Sequence, residues 1–148
     1  MRLARPEEAE AIRALVERAY APYIPVIGRR PAPMDDDHAA RIARGQAHVM
    51  ERGGAIIALA VIEARADYLW IENLAVEPGL HGGGIGRALL AFAEAEARRW
   101  GLPELRLLTN ARMERNRALY ARAGFRETEE REENGLRRVY MARLLNPA

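Results

Sequence analysis

The stretch Asn73-Leu-Ala-Val-Glu-Pro-Gly-Leu-His-Gly-Gly-Gly-Ile-Gly-Arg-Ala-Leu-Leu90 reads as the end of a strand, a glycine-rich turn and the start of a helix. A helix N-terminus presents unpaired backbone N–H groups and the positive end of a dipole, so phosphate oxygens are natural partners there. Gly82, Gly83, Gly84 and Gly86 occupy four of five positions. Without Cβ atoms they can turn several N–H groups toward one point, the kind of nest that holds a diphosphate. Two familiar phosphate loops do not fit the spelling. Ile85 and Gly86 follow Gly84 where a Walker A loop needs lysine and a hydroxyl, and Leu89 stands where the dinucleotide fingerprint needs its third glycine.

The segment His81-Gly82-Gly83-Gly84-Ile85-Gly86 resembles the cofactor motif of the GNAT acetyltransferase superfamily, Gln/Arg-x-x-Gly-x-Gly/Ala, and Leu74-Ala-Val-Glu-Pro78 is similar to its lead-in strand. His81 departs from the usual Gln or Arg, which leaves backbone contacts in place and puts that side chain's own contact in question. A second segment, Asn116-Arg-Ala-Leu-Tyr120-Ala-Arg-Ala-Gly124-Phe125, is similar to the signature that closes the family's cofactor site. The resemblance implies acetyl-CoA as co-substrate, bound by Leu74, Ala75, Val76, His81, Gly82, Gly83, Gly84, Ile85, Gly86, Arg87, Asn116 and Tyr120. It also implies that Asn116 meets the cofactor arm, that Tyr120 stands at the thioester sulfur and that Val76 offers its backbone N–H to the carbonyl oxygen.

The 148 residues suit one domain, 1–148, large enough to bury a core. No apolar run approaches a membrane span and the first residues lack a signal-peptide layout, so a cytoplasmic protein without membrane partners is expected. Cysteine is absent, which excludes disulfides, zinc–thiolate sites and an acyl-cysteine intermediate. The net charge is +2 and every basic residue is arginine; these are interleaved with glutamate, without the basic stripe and stacking aromatics of a nucleic-acid binder. His38 and His48 have no second ligand at metal spacing, so they read as surface or packing residues and no metal is expected.

In chain order, Met1–Arg5 reads as a short strand, and Pro6-Glu-Glu opens a helix with Ile12, Leu15, Val16 and Ala19 on its apolar face. Tyr20–Pro33 carries four prolines and reads as a loop, which in GNAT proteins borders the acceptor pocket. Asp35-Asp-Asp37 precedes a short helix ending near Gly45. Those aspartates serve either as N-caps or to attract a cationic amine. Strands follow from Ala47 and Ala55 around Gly53-Gly54, and from Tyr68 to Val76. The helix after the glycine turn places Ile85, Leu89, Phe92, Ala93 and Trp100 on one face. Glu104–Thr109 alternates as a strand, Arg112–Ala123 reads as a helix closed by Gly124, and Phe125–Glu129 and Arg137–Leu145 read as closing strands around Asn134-Gly135. The order β-α-α-β-β-β-α-β-α-β-β makes an α+β layer fold with a mixed, mostly antiparallel sheet flanked by helices, the order of the GNAT fold. Exposed strand edges suit a homodimer.

Aminolysis of a thioester needs a group to take the proton of an ammonium whose unperturbed pKa is about 10.4, a donor for the oxyanion, and an acid near the departing thiolate. On an ideal strand Glu72 alternates with Trp70, Leu74 and Val76, a carboxylate among apolar neighbours, and is the candidate base. An arginine-paired or edge-exposed Glu72 is the competing reading, since a bulge would reverse its facing, and relatives often use a water relay. Met113, Asn116 and Tyr120 share one helical face, and Tyr120 is the candidate acid. The function expected is N-acetyl transfer from acetyl-CoA to a small-molecule or peptide amine, directly through a ternary complex; the alternative is a non-catalytic acyl-CoA-binding module. A nucleotide-binding domain is disfavoured by the missing lysine and third glycine.

Overall fold

The computed structural model describes residues 1–146. Its sheet has seven strands: β1 (Arg2–Leu3), β2 (Ala47–Arg52), β3 (Ala55–Ala64), β4 (Leu69–Val76), β5 (Glu104–Asn110), β6 (Arg126–Glu133) and β7 (Leu136–Leu144). The spatial order is β1-β2-β3-β4-β5-β7-β6, antiparallel everywhere except between β4 and β5. The helices are α1 (Ala9–Tyr20), α2 (Ile24–Ile27), α3 (His38–Ala43), α4 (Ile85–Arg99) and α5 (Glu114–Arg122). The mixed, helix-flanked sheet expected from the sequence is therefore present. One helix is added to the expected order, because the proline-rich loop after Tyr20 coils into the short turns of α2 and its neighbours. The first strand is shortened to two residues.

Two cores form on opposite faces of the sheet. Ile12, Leu15 and Val16 of α1 pack with Val49, Leu59, Val61 and Ala75. Leu90, Ala93 and Ala97 of α4 pack with Leu69, Ile71, Leu105 and Leu107 on the other face. Helical spacing of small and branched side chains on α4 lets it lie close to β4 and β5, as the periodicity requires. Trp100 departs from expectation: it is 60% exposed. The helix ends at Arg99, and Trp100 at φ −90°, ψ 2° has already left the spiral that would have turned it inward. The Arg99 guanidinium instead lies over its ring, 5.4 Å from the centroid.

The two histidines behave as packing residues. His38 is buried, and burial pushes its pKa down so that it is held neutral. His48 packs its ring 4.9 Å from that of Phe92. Asp37 accepts a hydrogen bond from the Ala40 N–H at 3.0 Å and caps α3.

The edge of the sheet is tied to α1 through Glu8. Its carboxylate accepts two hydrogen bonds from Arg2, at 2.9 and 2.7 Å, and one from the Arg5 N–H at 2.8 Å. The Arg2 guanidinium, helped by the Arg5 amide, holds the Glu8 carboxyl well below its ordinary value, at about 2. A lowered folded-state pKa contributes stability that is present above the unfolded value and is lost as pH falls through the folded one. Glu8→Gln is expected to cost about 1–2 kcal/mol at pH 7, a difference that shrinks as pH falls from about 4.3 toward 2. Urea denaturation of both proteins at three pH values checks it.

Candidate functional site

β4 and β5 stay paired only over Leu69–Ile71 and Leu105–Leu107, and the remainder of each strand runs on without the other. β3 continues to hold the far edge of β4, with the Glu77 N–H donating to the Ile57 carbonyl at 2.9 Å. Antiparallel alternation then turns the amides of Leu74 and Val76 away from β3 and into the opening. Tyr20 takes the Leu74 carbonyl, its hydroxyl donating at 3.2 Å. The Val76 N–H is left facing the gap.

At the mouth of this opening lies the N-terminus of α4. The amides of Gly82, Gly84, Ile85, Gly86 and Arg87 have no backbone or side-chain acceptor among the described residues, whereas the Gly83 N–H is turned inward to the Leu80 carbonyl. Gly82 and Gly84 adopt φ of +86° and +82°, a conformation that L side chains rarely take, and so curve the chain around the free amides. Gly86 faces α5, where a Cβ would lie 3.4 Å from the Leu119 side chain, at ordinary van der Waals contact. Five free donors and a helix dipole thus stand at one end of the cleft, and Arg87, Arg115 and Arg122 line it without carboxylate partners among the described residues.

The cleft measures about 550 Å³ and is walled by Leu74, Ala75, Val76, His81, Gly82, Gly84, Ile85, Gly86, Arg87, Asn116 and Tyr120. Of the residues singled out for cofactor contact in the sequence, Gly83 alone is off this wall. A second cavity of about 330 Å³ lies on the other side of the gap. Tyr20, Leu74, Asn116 and Tyr120 line both cavities. Tyr120 is buried, 8% exposed, and its ring packs 5.9 Å from Phe125. Burial foremost, and the neighbouring Tyr23 phenol, push its pKa up to about 12, so it keeps its proton at neutral pH.

Glu72 does not lie where ideal alternation places it. In the β3–β4 register Val61 faces Asn73 and Ile62 faces Ile71, so Glu72 is the extra residue of a bulge. Ile71 packs with α4 and Ala75 with α1, while Leu74 and Val76 join the α4 side. Glu72 has turned to the opposite face from Leu74 and Val76, toward α3, where Arg41 meets it at 3.2 Å. Its other oxygen accepts from the Trp70 indole at 2.5 Å, and its side chain is 33% exposed. The apolar burial expected of it is absent. It nevertheless lines the second cavity together with Tyr120.

A family model described as "Acetyltransferase (GNAT) family" matches residues 10–125. The chain belongs to the GNAT acetyltransferases. No curated protein sequence matches it. Among solved structures, the Thermoplasma acidophilum PaiA N-acetyltransferase in complex with coenzyme A is 16% identical, with a TM-score of 0.81 over 97% of this chain and 96% of that one. The IAA acetyltransferase from Bacillus cereus ATCC 14579 is 29% identical, with a TM-score of 0.69 over 93% and 95%. A GNAT family acetyltransferase from Elizabethkingia anophelis with acetyl-CoA bound is 21% identical, with a TM-score of 0.64 over 78% and 92%.

Within this GNAT fold, several site residues carry no motif in the sequence. Arg115 and Arg122 recur at helical spacing with Leu119 on α5, a stripe that a cleft-facing reading of that helix would have found. Tyr20, at the end of α1, donates to Asn73 Oδ1 at 2.7 Å and fixes the β4 side chain next to the bulge. Burial pushes the Tyr20 phenol far above its ordinary pKa, which keeps it a neutral donor. Tyr20→Phe removes the single phenol proton, held chiefly by the Asn73 amide oxygen at 2.7 Å and shared with the Leu74 carbonyl at 3.2 Å. A loss of about 1–3 kcal/mol is expected for a buried group left unpaired, measured as a lower urea midpoint with an unchanged slope.

Proposed function

We propose that this GNAT acetyltransferase transfers the acetyl group of acetyl-CoA directly to a primary amine within a ternary complex. The observation that carries the reading is the meeting of two cavities at Tyr120, one ending at free α4 amides and the other open to a separate ligand. The residues present fit acetyl-CoA. The amides of Gly82, Gly84, Ile85, Gly86 and Arg87 suit a diphosphate, Arg115 and Arg122 suit further phosphate charge, and Asn116 suits the amide-bearing arm. Acetyl-CoA supplies an activated acyl carbon, and the protein supplies placement and charge stabilisation.

In this reading the amine nitrogen attacks from the second cavity, and the Val76 N–H donates to the thioester oxygen as negative charge develops there. The new C–N bond forms as the C–S bond breaks, and one proton passes from nitrogen to sulfur. Tyr120 donates a hydrogen bond to the departing sulfur. A thiol such as cysteine has a pKa of about 8.5, well below the value of about 12 held by this phenol. Tyr120 therefore does not remain a phenolate: it relays to sulfur the proton that the nitrogen gives up. Glu72 stands on the amine's side, and each of its oxygens keeps a lone pair beyond those used by Arg41 and Trp70. It takes the ammonium proton through a bridging water. Cytoplasmic location and a homodimer covering exposed strand edges complete the proposal; no helix among the described residues is long and apolar enough to cross a membrane.

Calorimetric titration with acetyl-CoA, followed by a thiol-release assay over amines, amino acids and peptides, tests the reading. Binding with amine-dependent release supports it, and binding without release favours a non-catalytic acyl-CoA-binding module. Tyr120→Phe should lower kcat about 10²-fold or more while the acetyl-CoA Kd changes little, and the wild type should show no alkaline decline due to Tyr120 below about pH 11, given its raised pKa. Glu72→Gln should lower kcat/KM for the amine while the acetyl-CoA Kd changes little. An unaltered kcat/KM would remove Glu72 from the proton path.

A further inference from the structure

The second cavity is lined by charged groups of both signs whose pairing is unequal. Asp35, Asp36 and Glu72 stand on one side, and each is engaged: Asp35 with Arg30 at 3.0 Å, Asp36 and Glu72 with Arg41 at 3.0 and 3.2 Å. Glu63, 4.0 Å from Arg41, has its nearer partner in Arg65 at 3.5 Å, so Asp36 and Glu72 share the one guanidinium of Arg41 and that side is net negative. Across the cavity is Arg138 of β7, half-buried, whose guanidinium makes no hydrogen bond among the described residues; Glu133, at 3.7 Å, is its sole carboxylate neighbour. Arg131 is opposite it in register, which adds like charge rather than relief. Arg29 is pressed against Gly135 at the turn beside Leu136 on the cavity wall, and it too makes no hydrogen bond. Between the two sides lies Asn73, 3% exposed, whose Nδ2 has no partner.

A partly desolvated guanidinium with five donors and a buried amide N–H without an acceptor are both incomplete without an anionic or carbonyl group. We propose that the acceptor is an amine that also carries a carboxylate, its carboxylate held by Arg138 and its ammonium group toward Glu72 and the junction at Tyr120. This rests on the acyl-transfer reading above and narrows its substrate class. A cavity of about 330 Å³ admits a molecule of amino-acid size. Asn73 Nδ2 donates to the same carboxylate or to a carbonyl beside it. An amine without an acceptor group leaves both donors unpaired in the complex, and a site built around hydrogen bonds discriminates strongly against a ligand that cannot make them.

The test uses matched triplets such as phenylalanine, phenylalaninamide and phenethylamine, together with shorter and longer amino acids and their amides, with acetyl-CoA binding measured in parallel by calorimetry. The acids are expected to exceed their uncharged partners roughly ten- to hundredfold in kcat/KM, the range for a charge-assisted hydrogen bond. Arg138→Gln should collapse that ratio mainly through KM of the acid, with acetyl-CoA affinity retained, and Arg138→Lys should restore part of it. Equal or reversed preference in the wild type, a ratio unchanged in Arg138→Gln, or no turnover of any carboxylated amine by a protein that binds acetyl-CoA would each overturn the proposal while leaving the cofactor site standing. Failure to bind acetyl-CoA would overturn the acyl-transfer reading itself, and this proposal with it.

Discussion

The central cleft of this molecule follows from β4 and β5 parting after three paired residues. A buried strand ordinarily satisfies its amides on both edges. Here β3 satisfies one edge of β4, and the other is released into a cleft where Tyr20 takes the Leu74 carbonyl and the Val76 amide stays available. The gap is also where the two cavities share their walls, at Tyr20, Leu74, Asn116 and Tyr120.

The layers on either face hold that gap open. α4 is anchored along Leu90, Ala93 and Ala97, so its N-terminus is fixed beside the end of β4 with its free amides directed into the cleft. α1 is anchored on the opposite face by Ile12, Leu15 and Val16, which carries Tyr20 to the gap. The segment after Tyr20 then roofs the second cavity. It is tied across to the far side by Arg112, which donates to the Val26 carbonyl at 3.3 Å. The cleft at the α4 N-terminus thus rests on helix and strand, and the second cavity largely on loops, where specificity commonly resides.

The phosphate end was legible because its physics is local. Residues 82–86 carry in one short run the glycines, the turn and the helix start that make an anion cradle, and Asn116 and Tyr120 lie four apart on one helix. Gly83 differs from its neighbours because its amide turns to the Leu80 carbonyl, an orientation that glycine spacing alone does not reveal. The facing of Glu72 was not legible, because alternation assumes an unbroken register and the bulge is set by how β4 pairs with Val61 and Ile62 of β3, across a separate strand of the meander. Trp100 was misread because the helix stops one residue short of it. The second cavity was beyond reach altogether: Asp36, Asn73 and Arg138 come from three distant segments, and nothing in their local sequence marks them as neighbours.

The central claim is that the free α4 amides and the released Val76 amide bind and orient an acyl-CoA. Backbone ¹⁵N–¹H NMR during titration with acetyl-CoA tests it most directly. The account predicts large shifts at Gly82, Gly84, Ile85, Gly86, Arg87 and Val76, with Gly83 much less affected. Saturable binding that leaves those amides unmoved, or no binding, would contradict it.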